Sequence, residues 1–116
     1  MMQLMLTLQD IMIGMGLFGH TEDMGIEGSG IVRRVGSEVT HIQVDDTVVF
    51  MGAGFFQTRI IIPATHCIKS PLNITLEKAA TLPVVFSTAV YSLMYLASLR
   101  TGQVSNHMIS NRCTTN

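Results

Sequence analysis

The chain has 116 residues, of which 47% are hydrophobic and 13% are charged, so it suits a single domain with a core of its own and leaves no room for a second. Its formal net charge of −1 excludes a basic face for nucleic acid or a polybasic membrane patch, since Arg33 and Arg34 form the only adjacent basic pair. Two cysteines, Cys67 and Cys113, are too few for a disulfide framework or a four-thiolate metal site, so a reducing, cytoplasmic compartment is expected.

Residues 9–15 predict a short helix that ends at Gly16. Ile11, Met12 and Met15 recur in it at helical spacing, and we expect these three side chains to face the core. The helix would therefore lie on the rest of the domain along its apolar side.

The loop after this helix carries His20, Glu22 and Asp23, which are residue types that bind metal ions. Three neighbouring donors with no identified fourth partner more often form a solvated surface cluster. We therefore predict no metal site in this loop.

A glycine-rich segment, residues 24–36, is the most informative stretch of the sequence. It combines the β-branched pair Ile31-Val32 with four glycines, which indicates a tight backbone bend followed by a strand; the glycines are Gly25, Gly28, Gly30 and Gly36. Residues 47–51 are typical of a second, fully buried strand.

Alternating side chains in residues 55–62 predict a further strand with one well-buried face. That face would carry Phe56, Thr58, Ile60 and Ile62. A short strand closed by Pro71 should follow, in which Cys67 is expected to be packed and unreactive.

Two helices are predicted beyond Thr75, which suits a helix N-cap, with Pro83 in the first turn of the second helix. Residues 79–99 contain no charge and have about the length of a membrane span. Because Pro83 and several hydroxyl side chains interrupt this run, a buried helix is favoured over a membrane anchor. Its apolar stripe would comprise Phe86, Ala89, Val90, Leu93, Leu96 and Ala97.

Four blocks of this sequence resemble the medium-chain dehydrogenase/reductase superfamily, in the family's order. Gly25-Ile26-Glu27-Gly28-Ser29-Gly30 is similar to its G-x-E-x-x-G element, and Val44-Asp45-Asp46-Thr47-Val48 to its V-G-D-x-V turn. Residues 9–16 and 79–89 look like the enoyl reductase domain of fungal highly reducing polyketide synthases. The resemblance covers roughly residues 6–103.

This resemblance implies a mainly β fold with α elements (α+β): a GroES-like partial β-barrel followed by two C-terminal helices. Residues 1–103 would form this substrate-side domain, and residues 104–116 a divergent, disordered tail. In the family, a dinucleotide-binding (Rossmann) domain begins at this point with a glycine-rich turn. No glycine follows Gly102 here, so the chain is expected to lack that domain, as a truncated or frame-shifted reading frame would.

The resemblance also implies site residues for an NADPH-dependent enoyl reductase. Thr88 matches the threonine that docks the nicotinamide carboxamide, although a helical threonine more often bonds back to the preceding turn. Leu17 and Phe18 would face the acyl chain of the substrate. Ile26 stands where zinc-dependent members have histidine, and a hydrocarbon cannot bind Zn²⁺. Glu27 would either line the cleft floor or anchor the glycine turn.

The implied substrate is an α,β-unsaturated acyl thioester on a carrier protein, with no nucleic-acid or membrane partner. Without a phosphate-binding loop, the isolated chain is expected to be inactive, and no catalytic residue is assigned to it. Two alternatives remain open: a non-catalytic, self-associating module, and a small protein anchored in a membrane through residues 79–99.

Overall fold

The computed structural model describes residues 2–17, 20–71 and 73–103. Four antiparallel strands form one sheet in the order β1-β2-β3-β4: β1 (Met2–Leu4), β2 (Glu27–Ile31), β3 (Thr47–Met51) and β4 (Cys67–Lys69). The helices are α1 (Leu8–Gly14), α2 (Leu76–Ala79) and α3 (Pro83–Val90), the last continued by a π-helical segment, Tyr91–Leu96. Single 3-10 turns occur at Thr21–Asp23 and Ala64–His66. The predicted α+β class is confirmed.

Strand β3 lies in the interior of the sheet, as its apolar sequence predicts. It pairs with β2 on one side, where Ser29 is opposite Val49, and with β4 on the other, where Phe50 is opposite Cys67. Val48, Val49 and Phe50 are buried. Strands that are covered on both faces are continuous apolar runs, which is why residues 47–51 could be predicted without alternation.

The core gathers on one face of the sheet around Phe50. Its buried members are Ile42, Val48, Phe50, Phe55 and Cys67. The rings of Phe50 and Phe55 meet edge to face, with centroids 5.3 Å apart and planes at 87°. This geometry adds about 0.5–1.5 kcal/mol to the burial of the two rings. The prediction of a packed Cys67 is confirmed.

Residues 55–62, all of which the structure describes, form no strand, so that prediction was wrong. The backbone N–H groups of Phe55 and Phe56 donate to the carbonyls of Gly25 and Met24 instead of to a neighbouring strand. Phe55 is buried, whereas Phe56 and Ile61 are exposed, and Ile60 and Ile62 pack only partly against the core. The alternation of side chains therefore did not predict the structure of this segment, because its backbone hydrogen-bonds to the glycine bend.

Helix α1 ends where the sequence predicted, but it buries a different side. Ile13 and Asp10 are buried, whereas the three residues expected in the core, Ile11, Met12 and Met15, are 47%, 37% and 67% exposed. The apolar spacing identified the helix correctly and its orientation incorrectly. The reason is Asp10. Its carboxylate accepts a hydrogen bond from Gly25 N–H, so the side of the helix that carries Asp10 faces the interior.

The predicted C-terminal helices begin at the expected residues. Thr75 caps α2 by accepting from the N–H of Lys78, and Pro83 lies in the first turn of α3. The apolar stripe is less covered than expected, because Phe86, Val90 and Leu96 are exposed. Helix α3 contacts both β2 and β3, and Val84 in its first turn hydrogen-bonds to Glu27.

The segment Leu76–Leu96 is 21 residues long, and its most apolar window has a mean hydropathy of 1.5 with 11% of the window buried. By length and composition alone, this part of the described chain could cross a membrane. Ala79 and Ala80 are nevertheless buried, and backbone groups of Leu76 and Val84 hydrogen-bond to side chains of β2. A membrane span over the whole segment would have to break these contacts.

Candidate functional site

The glycine bend is shaped by close contact with residues 55 and 56. Gly25 has a φ of +83°, and a Cβ atom there would lie 2.7 Å from the backbone nitrogen of Phe56. Its carbonyl accepts from Phe55 N–H at 3.0 Å. Both the backbone angle and the lack of space exclude any residue but glycine. The predicted bend is confirmed at Gly25, whereas Gly28 and Gly30 lie within strand β2 itself.

Asp10 of helix α1 holds the other side of this bend. Its Oδ1 accepts from Gly25 N–H at 2.7 Å, while Oδ2 accepts from the N–H and the hydroxyl of Thr7 at 2.8 and 2.7 Å. Thr7 in turn accepts from Asp10 N–H, which completes a capping box. Asp10 is thus the carboxylate that anchors the glycine turn, which was one of the two roles that the sequence left open for Glu27.

The environment of Asp10 stabilises its ionised form. Burial alone would raise the pKa of this carboxyl, but hydrogen bonds from Gly25 and Thr7 outweigh burial, so the pKa lies below its ordinary value. Sequence reasoning missed this residue, although the spacing Thr7-x-x-Asp10 is that of a capping box.

Glu27 at the start of β2 points at the beginning of helix α3. Its Oε2 accepts from Val84 N–H at 2.9 Å, and the residue is 3% exposed. Burial raises the pKa of Glu27; the Val84 hydrogen bond acts in the opposite direction, and the nearby Asp10 charge adds to the rise. The carboxylate therefore joins the sheet to the helix that carries Thr88.

Ser29, two residues along β2, ties the same face of the sheet to helix α2. Its hydroxyl donates to the carbonyl of Leu76 at 2.6 Å, and the residue is fully buried. Alternate side chains of a strand share one face, so Glu27 and Ser29 together hold α2 and α3 on the sheet.

Ile26 lies between Gly25 and Glu27 and is half-buried. Its side chain has no lone pair for a metal, and its carbonyl accepts from Gly52 N–H at 2.8 Å. Within residues 2–17, 20–71 and 73–103, no group of three or more His, Cys, Asp or Glu side chains is arranged to hold a metal ion.

Thr88 lies in the last turn of α3 and is exposed. Its hydroxyl donates to the carbonyl of Val84 at 2.7 Å, which is the bond back to the preceding turn that the sequence left open. The hydrogen is committed to this bond, but the oxygen retains lone pairs and can accept from a ligand amide. Ser92, one turn later, donates in the same way to the carbonyls of Thr88 and Ala89.

Leu17 follows helix α1 and is 66% exposed. Its N–H donates to the carbonyl of Met12 at 3.0 Å, which closes the end of the helix. No hydrogen bond within the described part of the chain joins Leu17 to α3. Phe18, the second residue predicted to contact the acyl chain, lies outside the described residues, as does the predicted tail at 104–116.

An open groove of about 410 Å³ lies beside the last helix, which consists of α3 and its π-helical continuation. Its lining consists of Phe86, Ser87, Val90, Tyr91 and Tyr95. The two tyrosine rings stack with centroids 6.0 Å apart. Thr88 does not line this groove, so the exposed hydroxyl and the apolar groove are separate features of the helix.

Comparison with known proteins identifies the relatives of this chain. It is 42% identical over 98 residues to the highly reducing polyketide synthase gloL of Glarea lozoyensis and 39% identical over 99 residues to the highly reducing polyketide synthase lcsB of Purpureocillium lilacinum. The partially reducing polyketide synthase tpeA of Talaromyces stipitatus is 38% identical over 98 residues. Each match covers 84% of this chain and 4% of the relative, so the chain corresponds to a small part of these proteins.

Residues 6–72, more than half of the chain, match the family described as the alcohol dehydrogenase GroES-like domain. The match includes α1, the glycine bend and all of strands β2 to β4, and it agrees with the antiparallel sheet of the structure. The chain belongs to the alcohol dehydrogenase GroES-like domain family.

Proposed function

We propose that this chain supplies the substrate-side wall of an NADPH-dependent enoyl reductase in polyketide synthesis. The observation that carries the proposal is the 38–42% identity to reducing polyketide synthases over 84% of the chain. The implied reaction reduces an α,β-unsaturated acyl thioester that a carrier protein delivers. The relatives' names describe whole synthases, so the choice of the enoyl reductase step rests on the sequence blocks described above.

Thr88 is the residue of this chain that we assign to NADPH. Its exposed oxygen, oriented by the bond to the Val84 carbonyl, can accept from the amide N–H of a nicotinamide carboxamide. When bound, NADPH would supply the hydride for the β-carbon of the unsaturated thioester. Leu17 and Phe18 are the proposed contacts of the acyl chain. The apolar exposed side chain of Leu17 suits that role but cannot transfer a proton.

We further propose that the site works without zinc. The side chain at position 26 is a hydrocarbon, and the carboxylate beside it, Glu27, is already bound to Val84 N–H. Ile26 has no donor atom, and Glu27 alone is too few ligands for Zn²⁺, which takes three or four from the protein. Equilibration of the purified chain with Zn²⁺, followed by gel filtration and metal analysis, should leave far less than one zinc per chain.

Activity is best tested by transfer of residues 6–103 into a reducing synthase whose own enoyl reductase is active. The hybrid should oxidise NADPH in the presence of a crotonyl thioester. Thr88→Val in the hybrid should raise the KM for NADPH about tenfold, since one ligand hydrogen bond is lost. Ser92→Ala, which removes a similar hydroxyl one turn away, is the matched control and should change KM less than twofold. Equal effects of both substitutions would contradict the role of Thr88.

The isolated chain should bind NADPH weakly, because its sequence contains no glycine-rich phosphate loop after Gly102. Titration of NADPH fluorescence with the purified chain should show no binding in the micromolar range. Micromolar binding would contradict this part of the proposal.

The exposed apolar side chains of the last helix favour a second candidate, a non-catalytic module that associates with a copy of itself. Three apolar side chains are exposed there: Phe86, Val90 and Leu96. Exposed apolar patches on soluble proteins commonly mark contact sites, which is why self-association is considered. Sedimentation velocity at several concentrations separates the candidates. A concentration-dependent rise in sedimentation coefficient, together with an inactive hybrid, would favour self-association.

A further inference from the structure

Helix α3 begins without a cap from its own sequence. Leu82 occupies the cap position and has no side-chain acceptor, and Pro83 has no N–H. Val84 therefore carries the first free N–H group of the helix, and this group would lack a partner if Glu27 did not reach it. The acceptor comes from a residue 57 positions earlier in the chain.

The Glu27 carboxylate suits this position for two physical reasons. A hydrogen bond to an ionised acceptor is roughly twice as strong as one between neutral groups. A negative charge beside the first turn is also favoured by the helix dipole. The residue is buried against the helix, so the contact cannot be replaced by water without moving one of the two elements.

We propose that Glu27 is a positioning residue whose carboxylate fixes the first turn of α3 on the sheet and so sets the placement of the helix face that carries Thr88. The connection to Thr88 rests on the proposed function; the contact between Glu27 and α3 does not. Thr88 is one turn beyond Val84 and bonds to the carbonyl of that same residue, so a shift of the first turn would move its hydroxyl directly.

Burial, and to a smaller extent the charge of Asp10, raises the pKa of Glu27, so ionised Glu27 lowers overall stability even though it holds the helix. Asp10 on α1 is the other titratable group that acts on it, while α3 and the rest of β2 carry no charged residue. Glu77 and Lys78 of α2 are exposed and are not among the groups that shift its pKa.

Because its folded pKa is raised above 4.5, the stability that Glu27 contributes is fully present below that pH and is lost as pH rises through the folded pKa. Above the folded pKa, the ionised group therefore holds the helix at a cost in overall stability.

The test is amide hydrogen exchange by NMR on the full 116-residue chain at neutral pH. Glu27→Gln keeps the shape and an oxygen acceptor but removes the charge, and Glu27→Ala removes the acceptor. Exchange at Val84 N–H should become about tenfold faster in the Gln variant and faster still in the Ala variant. Amides of strand β3, which report unfolding of the whole domain, should not accelerate in the Gln variant. Glu38→Gln, on an exposed turn, is the control and should change neither the exchange at Val84 nor the exchange of the β3 amides.

An equal change in exchange at Val84 and in β3 would show a general effect on stability and would overturn the proposal. A second measurement needs no substitution: in the unmodified chain, the Val84 amide proton shift should follow the titration of the Glu27 carboxyl. A Val84 amide proton shift that does not change as the Glu27 carboxyl titrates would also overturn the proposal. If both measurements succeed while Thr88→Val has no effect in the hybrid enzyme, then the proposed function fails and the positioning role stands.

Discussion

The Asp10 carboxylate accepts a hydrogen bond from the backbone N–H of Gly25 at 2.7 Å, and this bond joins helix α1 to the glycine bend. Gly25 supplies the positive φ of the bend, and its buried N–H needs a hydrogen-bond acceptor. Asp10 provides that acceptor and at the same time caps its own helix through Thr7. One buried side chain thus fixes both the start of the helix and the entry to strand β2.

Replacement of Asp10 should therefore be among the most destabilising single changes in the chain. We expect Asp10→Ala to lower the free energy of unfolding by about 2–4 kcal/mol, because it removes the Asp10 half of the capping box and leaves the buried Gly25 N–H without a partner. Asp10→Asn should cost less, about 1–2 kcal/mol, since one oxygen acceptor remains. Urea denaturation followed by circular dichroism measures both. Glu22→Ala, at an exposed site, is the control, and an equal loss there would refute the argument.

The same residue predicts a dependence of stability on pH. The folded pKa of Asp10 is depressed below 3.8, so its contribution to stability is present above that pH and is lost as pH falls through the folded pKa. The difference in unfolding free energy between the natural chain and Asp10→Asn should hence be constant at neutral pH and shrink in acid. Urea titrations at intervals from pH 6 to pH 2.5 would show this. A difference that stays constant throughout would mean that folding does not lower the pKa of Asp10.

Gly28 and Gly14 form a matched pair for a test of backbone packing. A Cβ atom at Gly28 would lie 2.6 Å from the carbonyl oxygen of Gln3 and 2.8 Å from the Phe50 ring, whereas nothing lies within 4 Å of one at Gly14. Gly28→Ala should therefore separate β1 from β2 and cost about 2–3 kcal/mol. Gly14→Ala at the end of α1 should be neutral or stabilise the chain by up to about 1 kcal/mol. Thermal unfolding of the two variants side by side measures both changes in stability. Equal losses of stability in the two variants would contradict the packing argument.

Much of the fold could be predicted because its signals are local. A continuous apolar run identified β3, a threonine and a proline identified the starts of α2 and α3, and a glycine identified the end of α1. The bend at Gly25 was predicted for the same reason. Each of these features depends on residues within a few positions of one another.

What the sequence did not reveal depends on partners far along the chain. Nothing near Glu27 indicates that its carboxylate meets Val84, 57 residues later. The alternation at residues 55–62 likewise gave no sign that Phe55 would bond to Gly25 in place of a strand neighbour. Asp10 lies between these cases, since its local bond to Thr7 has a recognisable spacing and its bond to Gly25 has none.

Cys67 provides the last prediction, which concerns reactivity. The thiol is buried beneath Phe50 in the core, burial raises its pKa above 9.0, and its Sγ contacts the carbonyl of Ala64 at 3.5 Å. Since the thiolate is the reactive form, Cys67 should react with a disulfide reagent at pH 8 at least about tenfold more slowly than free glutathione. The variant Cys113→Ser isolates the Cys67 signal, and Cys67→Ser removes it.

Unfolding the Cys113→Ser variant in urea should raise the reaction rate of Cys67 to that of a free thiol, because both the burial and the raised pKa disappear with the fold. The ratio of the two rates then measures how far the core protects the sulfur. A folded rate equal to the unfolded rate would show that β4 does not hold Cys67 inside the domain, and it would remove one side of the core around Phe50.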